Sequence, residues 1–163
     1  MKKKRTKKDI GLLVAIIVVV CVFIVSCIPA GYAVYLGHRH QVYVGELTDS
    51  FYNARLKGGV MATYLGENYH LTPDEASNIY LIIMDAGVGK PRKEPPANED
   101  LIEISFPDGA KLTLSGTEIM EKARKVDYGL YVKFETADGE VFEYDTDALE
   151  GIEWCRKILY RSR

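Results

Sequence analysis

Leu101-Ile-Glu-Ile-Ser-Phe106, the turn Pro107-Asp108-Gly109, and Lys111-Leu-Thr-Leu114 form the stretch on which the fold turns. Ile102, Ile104 and Phe106 alternate with Glu103 and Ser105, so one side of the segment is apolar and the other polar. That period of two is the pattern of a half-buried antiparallel strand. The Pro-Asp-Gly turn folds it back on Lys111–Leu114 as a hairpin. Ser115-Gly-Thr-Glu118 then has Ser-x-x-Glu spacing, in which the hydroxyl and the glutamate each satisfy a free backbone N–H. A short helix carrying Ile119, Met120 and Ala123 is therefore expected, ending about Arg124.

Working outward, the same order of signals recurs on both sides, a weak internal repeat of strand, turn, strand and capped helix. Downstream come Leu130–Glu135, a turn at Ala137-Asp-Gly-Glu140, Val141–Tyr144 and a cap at Asp147-Ala-Leu-Glu150. The helix this cap opens carries Leu149, Ile152, Cys155 and Leu159 on one face and ends in cations at Arg161 and Arg163. Upstream come Val60–Tyr64, a turn at Gly66-Glu-Asn68, Tyr69–Leu71 and the box Thr72-Pro-Asp-Glu75, whose proline suits the first helical position. Its helix runs through Ala76, Ile79, Tyr80 and Ile83 and is expected to stop near Gly87. The segment 88–100, rich in Pro and charge, reads as an exposed extended loop. In Gln41–Gly59, Tyr43 and Val44 hint at a strand, while Thr48–Leu56 reads as helix. Three hairpins, each followed by a helix, predict an α+β domain: an antiparallel sheet with helices packed on one face and the other face wet. The wet face is assigned Glu103, Ser105, Lys111, Thr113, Tyr131, Lys133, Glu135 and Glu143. Of these, Tyr131, Lys133, Glu135, Glu103 and Lys111 are the candidate partner-binding residues.

The amino-terminal quarter has a different chemistry. Overall the 163 residues are 47% apolar and 27% charged, with mean hydropathy -0.09. From Ile10 to Leu36, however, there is no Asp, Glu, Lys or Arg, and Lys2, Lys3, Lys4, Arg5, Lys7 and Lys8 stand just before that run. As a helix it would be about 40 Å long, more than a hydrocarbon core requires. Pro29 and Gly31 are expected to kink or end its deep part. Retention of positive charge in the cytoplasm places the amino terminus inside and the remainder outside, with Tyr32 and Tyr35 at the outer interface. The expected division is a cytoplasmic tail over 1–9, a transmembrane helix over 10–36, a juxtamembrane connector over 37–59 and an extracytoplasmic domain over 60–163. A cleaved signal is disfavoured by the length of the run. Ile24-Val-Ser-Cys27 also resembles a lipobox, so anchoring through a lipidated Cys27 stands as the alternative. Against it, the residues that follow remain apolar rather than turning into a polar tether.

A basic start, one apolar segment, a threonine-capped helix at Thr72–Ala86 and two hairpins with a Phe before Asp-Gly turns (Ile102–Leu114, Leu130–Tyr144) resemble a group of uncharacterised extracytoplasmic domains. These occur in small membrane-anchored proteins and lipoproteins of Gram-positive bacteria. The resemblance implies location and fold; it brings no activity or catalytic residues with it.

Chemistry is sparse. After residue 9 the chain holds 15 basic and 22 acidic residues, net -7, which disfavours nucleic acid as a partner. Three cysteines, two of them inside the apolar run, exclude a disulfide scaffold and multi-Cys zinc modules. His70 is a lone strand histidine, and His38 and His40 make at most a weak metal pair. Asp145, Asp147 and Glu150 lack the twelve-residue calcium loop, and capping accounts for Asp147 with Glu150. Cys155 lies on an apolar stripe with no His base at usable spacing. No phosphate loop, Gly-x-Ser-x-Gly or His-Glu-x-x-His is present. No cofactor or metal is expected and no catalytic residue is assigned. An envelope hydrolase or transferase accessory using His70 or an acidic pair remains the alternative from another class. Ile79-Tyr-Leu-Ile-Ile-Met84 is apolar on every side, so one flank meets either the segment 41–59 or a partner, the membrane surface or a second copy. The expected partners are a lipid bilayer and an unknown envelope protein or polymer.

Overall fold

The computed structural model describes residues 7–86, 90–91, 101–121 and 124–162, with side-chain surroundings for 14–86, 101–117 and 129–162. The chain divides into two units, Met1–Gln41 and Val42–Arg163.

The described part of the first unit belongs to α1, an α-helix over Lys7–Leu56. Every residue from Val14 to Tyr35 is exposed. The helix is long and apolar enough to cross a membrane. Of the two expected effects, kinking or ending, the ending does not occur: the helix continues through Pro29 and Gly31. Proline's fixed φ is itself helical, and what it loses is one backbone bond and some local straightness, not the helical path.

The second unit is an α+β domain. It contains the last turns of α1, seven strands and two further helices: β1 (Val60–Tyr64), β2 (Glu67–Leu71), α2 (Pro73–Asp85), β3 (Lys90–Pro91), β4 (Ile102–Ser105), β5 (Lys111–Glu121), β6 (Arg124–Glu135), β7 (Val141–Thr146) and α3 (Gly151–Arg161). The sheet is antiparallel with order β2-β1-β4-β5-β6-β7-β3. Its register lays Ala62 opposite Ile104, Ile104 opposite Leu112, Leu112 opposite Phe134, and Phe134 opposite Phe142. All five are buried, so the alternation read from the sequence lies on one face.

Helices cover that face. Tyr43, Leu47, Phe51 and Ala54, spaced at four, four and three, are buried on the carboxyl-terminal part of α1. Tyr43 sets its ring 6.2 Å from Phe134, 5.8 Å from Phe142 and 4.9 Å from Tyr144. Phe51 meets Phe106 edge-on at 4.9 Å. Each such aromatic contributes roughly 1.5–3 kcal/mol by leaving water. The expected connector 37–59 is thus helical as far as Leu56, and from Val42 onward it belongs to the compact unit and supplies core. Its helical reading over Thr48–Leu56 agrees with the structure; the strand hint at Tyr43 and Val44 does not.

The turns follow local chemistry. At Gly109 (φ +98) the N–H of Gly109 donates to Phe106 O, and Asp108 Oδ1 accepts from the N–H of Ala110. The β1–β2 connection is one residue earlier than expected, a two-residue turn at Leu65 (φ 50) and Gly66 (φ 77). Gly59 (φ +124) is required by close approach as well as by φ, because a Cβ there would collide with the carbonyl of Leu71.

Two helix assignments are corrected. Ser115–Glu121 is not a helix: β5 continues through Ser115 to Glu121, pairing with β6 with a register shift between Ile119 and Met120, and residues 122–123 lie outside the described residues. Long-range pairing satisfies the backbone groups that a cap would have served. The last helix exists, but not through Asp147 and Glu150: Glu150 takes a left-handed conformation (φ 54, ψ 16) at the N-cap and makes no side-chain cap bond. The helix therefore begins at Gly151; Ile152, Cys155 and Leu159 are buried as expected, while Leu149 is exposed. By contrast Thr72 caps α2 as a complete capping box. The helix ends at Asp85 with Ala86 as the C-cap, just short of the expected Gly87, which lies outside the described residues, as does most of the loop 88–100.

Candidate functional site

The sheet face turned away from the helices carries the residues singled out as a binding surface. Three strands place them: β4 gives Glu103 and Ser105, β5 gives Lys111 and Thr113, and β6 gives Lys133 and Glu135. Register arranges them in two rows. Ser105, Lys111 and Glu135 lie opposite one another in the first, and Glu103, Thr113, Lys133 and Glu143 in the second. Together the β4–β6 residues line a shallow polar groove of about 280 Å³. Register sets Lys111 directly opposite Glu135 and Lys133 directly opposite Glu143, so unlike charges are neighbours across the strands. The two lysines and two glutamates that line the groove sum to zero. It therefore offers alternating donors and acceptors rather than a field of one sign, which suits a neutral or zwitterionic polar ligand better than a polyanion.

Tyr131 does not belong to this wet surface. It lies on the same face, yet is 1% exposed, and its hydroxyl donates to Glu143 Oε1 at 3.3 Å. Ser115, its opposite on β5, is fully buried too. The face is thus open at the Lys111–Glu135 and Thr113–Lys133 rows and closed at the Ser115–Tyr131 row.

The remaining candidates are dispersed. His70 is exposed on β2 opposite Met61. His38 and His40 are on α1, and Cys27 is exposed on the same helix beside Ser26, whose hydroxyl donates to Val22 O at 2.9 Å. Among the described residues, no group of three or more His, Cys, Asp or Glu side chains is placed to hold a metal ion. Asp145 is the penultimate residue of β7, opposite Tyr131, and Asp147 is exposed. Burial pushes the Cys155 thiol up to about 12, which keeps it protonated and weakly nucleophilic at neutral pH.

The segment 41–59 covers one flank of α2, as one of the two expected alternatives has it, while the groove on the other flank escapes sequence reading. Phe51 lies 5.2 Å from the Tyr80 ring, and Thr48 Oγ1 is 3.0 Å from Tyr80 Oη. The other flank borders an open groove of about 790 Å³ between α2 and the start of α3, into which Leu149 and Trp154 also project. Starting the last helix at Gly151 instead of after Asp147 would have removed Leu149 from the buried stripe. No protein-family model, curated protein or solved structure matches this chain.

Proposed function

We propose that the chain is a single-pass membrane-anchored protein whose α+β domain lies outside the cytoplasm and binds or scaffolds another envelope component without catalysis. One observation carries the anchoring: Val14–Tyr35 is apolar and wholly exposed, whereas the same helix from Val42 onward buries a regular face. Exposed apolar surface on every side of a helix is stable where the solvent is lipid. The basic cluster over residues 2–8 supports an inward amino terminus. The open sheet face, with Glu103, Lys111, Lys133 and Glu135, is the proposed contact surface for a polar protein or polymer segment.

Two measurements test this. The chain should resist alkaline extraction from membranes, and protease added to intact cells should remove a carboxyl-terminal tag. A tag cut only after lysis overturns the orientation. A photo-crosslinker at Thr113 should trap an envelope component, with the adduct lost in Lys111→Glu/Lys133→Glu; no adduct, or one indifferent to that change, overturns the assignment of the sheet face.

A further inference from the structure

The groove between α2 and α3 has a chemistry separate from the sheet face. Leu81, Leu149 and Trp154 line it at 50% to 60% exposure, large apolar groups with more water contact than a domain of this size needs to leave. Asp85 and Asp147 stand on its rim, both exposed. No basic residue occupies the last turn of α2, so the partial negative charge of that helix end adds to the two carboxylates. Lys157 Nζ lies 4.2 Å over the Trp154 ring and reinforces that wall. The occupant that fits is an apolar ridge flanked by cations.

This chain carries such a ridge within the same domain. Tyr52 and Leu56 lie one turn apart at the end of α1, 60% and 67% exposed. Arg55 and Lys57 are exposed beside them. Lys57 Nζ touches the carbonyl of Pro107 at 3.4 Å, a long contact that yields readily to a carboxylate. We propose that the Tyr52–Lys57 ridge of one copy docks into the α2–α3 groove of the next, with Arg55 and Lys57 facing Asp85 and Asp147. The two surfaces differ, so each contact joins unlike patches: engaged reciprocally they close a twofold pair, and engaged singly they build rings or rows. A contact of one helix end is small by the standard of stable complexes. Confinement in a membrane raises the local concentration of copies and compensates.

The test uses the full chain in its native membrane, with two differently tagged copies, one Leu56→Cys and the other Leu149→Cys. A short bismaleimide should join them, with the linked peptides identified by mass spectrometry. The pair Leu56→Cys with Leu65→Cys, an exposed position on the β1–β2 turn, measures random collision. The Leu56–Leu149 adduct should exceed that background at least fivefold. Asp85→Lys/Asp147→Lys in both copies should return it to background, and adding Arg55→Asp/Lys57→Asp should restore it. An adduct no stronger than the collision pair overturns the proposal, as it would if a foreign basic segment or a lipid surface occupied the groove. So does a yield indifferent to charge reversal, or failure of the fourfold variant to recover while its circular dichroism is unchanged.

Discussion

Thr72-Pro-Asp-Glu75 and Ser115-Gly-Thr-Glu118 carry the same capping pattern and meet opposite fates. At the first, the hydroxyl of Thr72 accepts from the N–H of Glu75 at 3.4 Å, and Glu75 Oε2 accepts from the N–H of Thr72 at 2.8 Å. Pro73 cannot extend a strand ladder and has a helical φ already set. Ala76, Ile79 and Ile83 then supply a buried helical stripe. At the second, inward-facing Leu112 and Leu114 lead to Gly116 on the same face, opposite Leu130 of β6. The space left by Gly116 is filled from α3: a Cβ there would lie 3.3 Å from Ile152 Cγ2. A capping pattern names backbone donors that can be served locally; a helix follows only where no strand partner serves them first.

The sharpest way to break this contrast is Gly116→Pro. In a helix beginning at Ser115, proline would occupy its preferred first position and cost little. In β5, where Gly116 pairs with Leu130 of β6 and has a methyl of Ile152 above it, proline should destabilise the domain by about 3 kcal/mol or more. Denaturant unfolding of the full chain in detergent measures this, and stability near that of the wild type would mean that β5 does not pass through Ser115.

A smaller effect distinguishes the two hydroxyls. Thr72→Ala should cost about 1 kcal/mol. Ser115→Ala should cost less than about 0.5 kcal/mol, because Ser115 Oγ reaches only the carbonyl of Gly116, at 3.4 Å. The first box also has a pH signature. Partial desolvation pushes the Glu75 carboxyl up, but hydrogen bonds from the Thr72 backbone and hydroxyl and from Ser162, with His70 nearby, outweigh it and hold the group below the usual range. A carboxyl lowered in the folded state binds fewer protons there than in the unfolded chain. Its contribution is therefore complete above the ordinary carboxyl range and is lost as pH falls through the lowered folded value. The stability difference between wild type and Glu75→Gln should shrink on acidification through that range; a constant difference would remove the charge from the account.

What the sequence made legible follows the same logic. The hairpins at Phe106–Ala110 and Thr136–Glu140, the Thr72 cap and the exposed apolar run were readable because turn chemistry, capping and period lie within a few neighbouring residues. Three things depended on residues far away. The continuation of β5 is decided by β6, and the burial of Tyr131 sets it apart from the open rows beside it on the same face. The role of Gln41–Leu56 is decided by the ring cluster of Phe106, Phe134, Phe142 and Tyr144, against which Tyr43 and Phe51 pack. The charged pairs of the sheet face were legible as residue types, but their rows came from cross-strand register. The α2–α3 groove was hidden because it depends on where α3 begins.

That starting point supplies the smallest expected effect. Asp147-Ala-Leu-Glu150 has the spacing of a box, but the chain reaches α3 through a turn in which the N–H of Gly151 donates to Ala148 O at 3.0 Å and that of Trp154 to Glu150 O at 3.1 Å. Gly151 is held tightly, since a Cβ would lie 2.9 Å from that of Ala148 and 3.2 Å from that of Leu130. Packing and backbone bonds, not a side-chain cap, fix the entry to this helix. Asp147→Ala should therefore leave the unfolding midpoint unchanged to within about 0.5 kcal/mol, as for an exposed side chain outside any cap. A loss of about 1 kcal/mol, equal to that of Thr72→Ala, would place a working cap at Asp147 and align the third pattern with the first rather than the second.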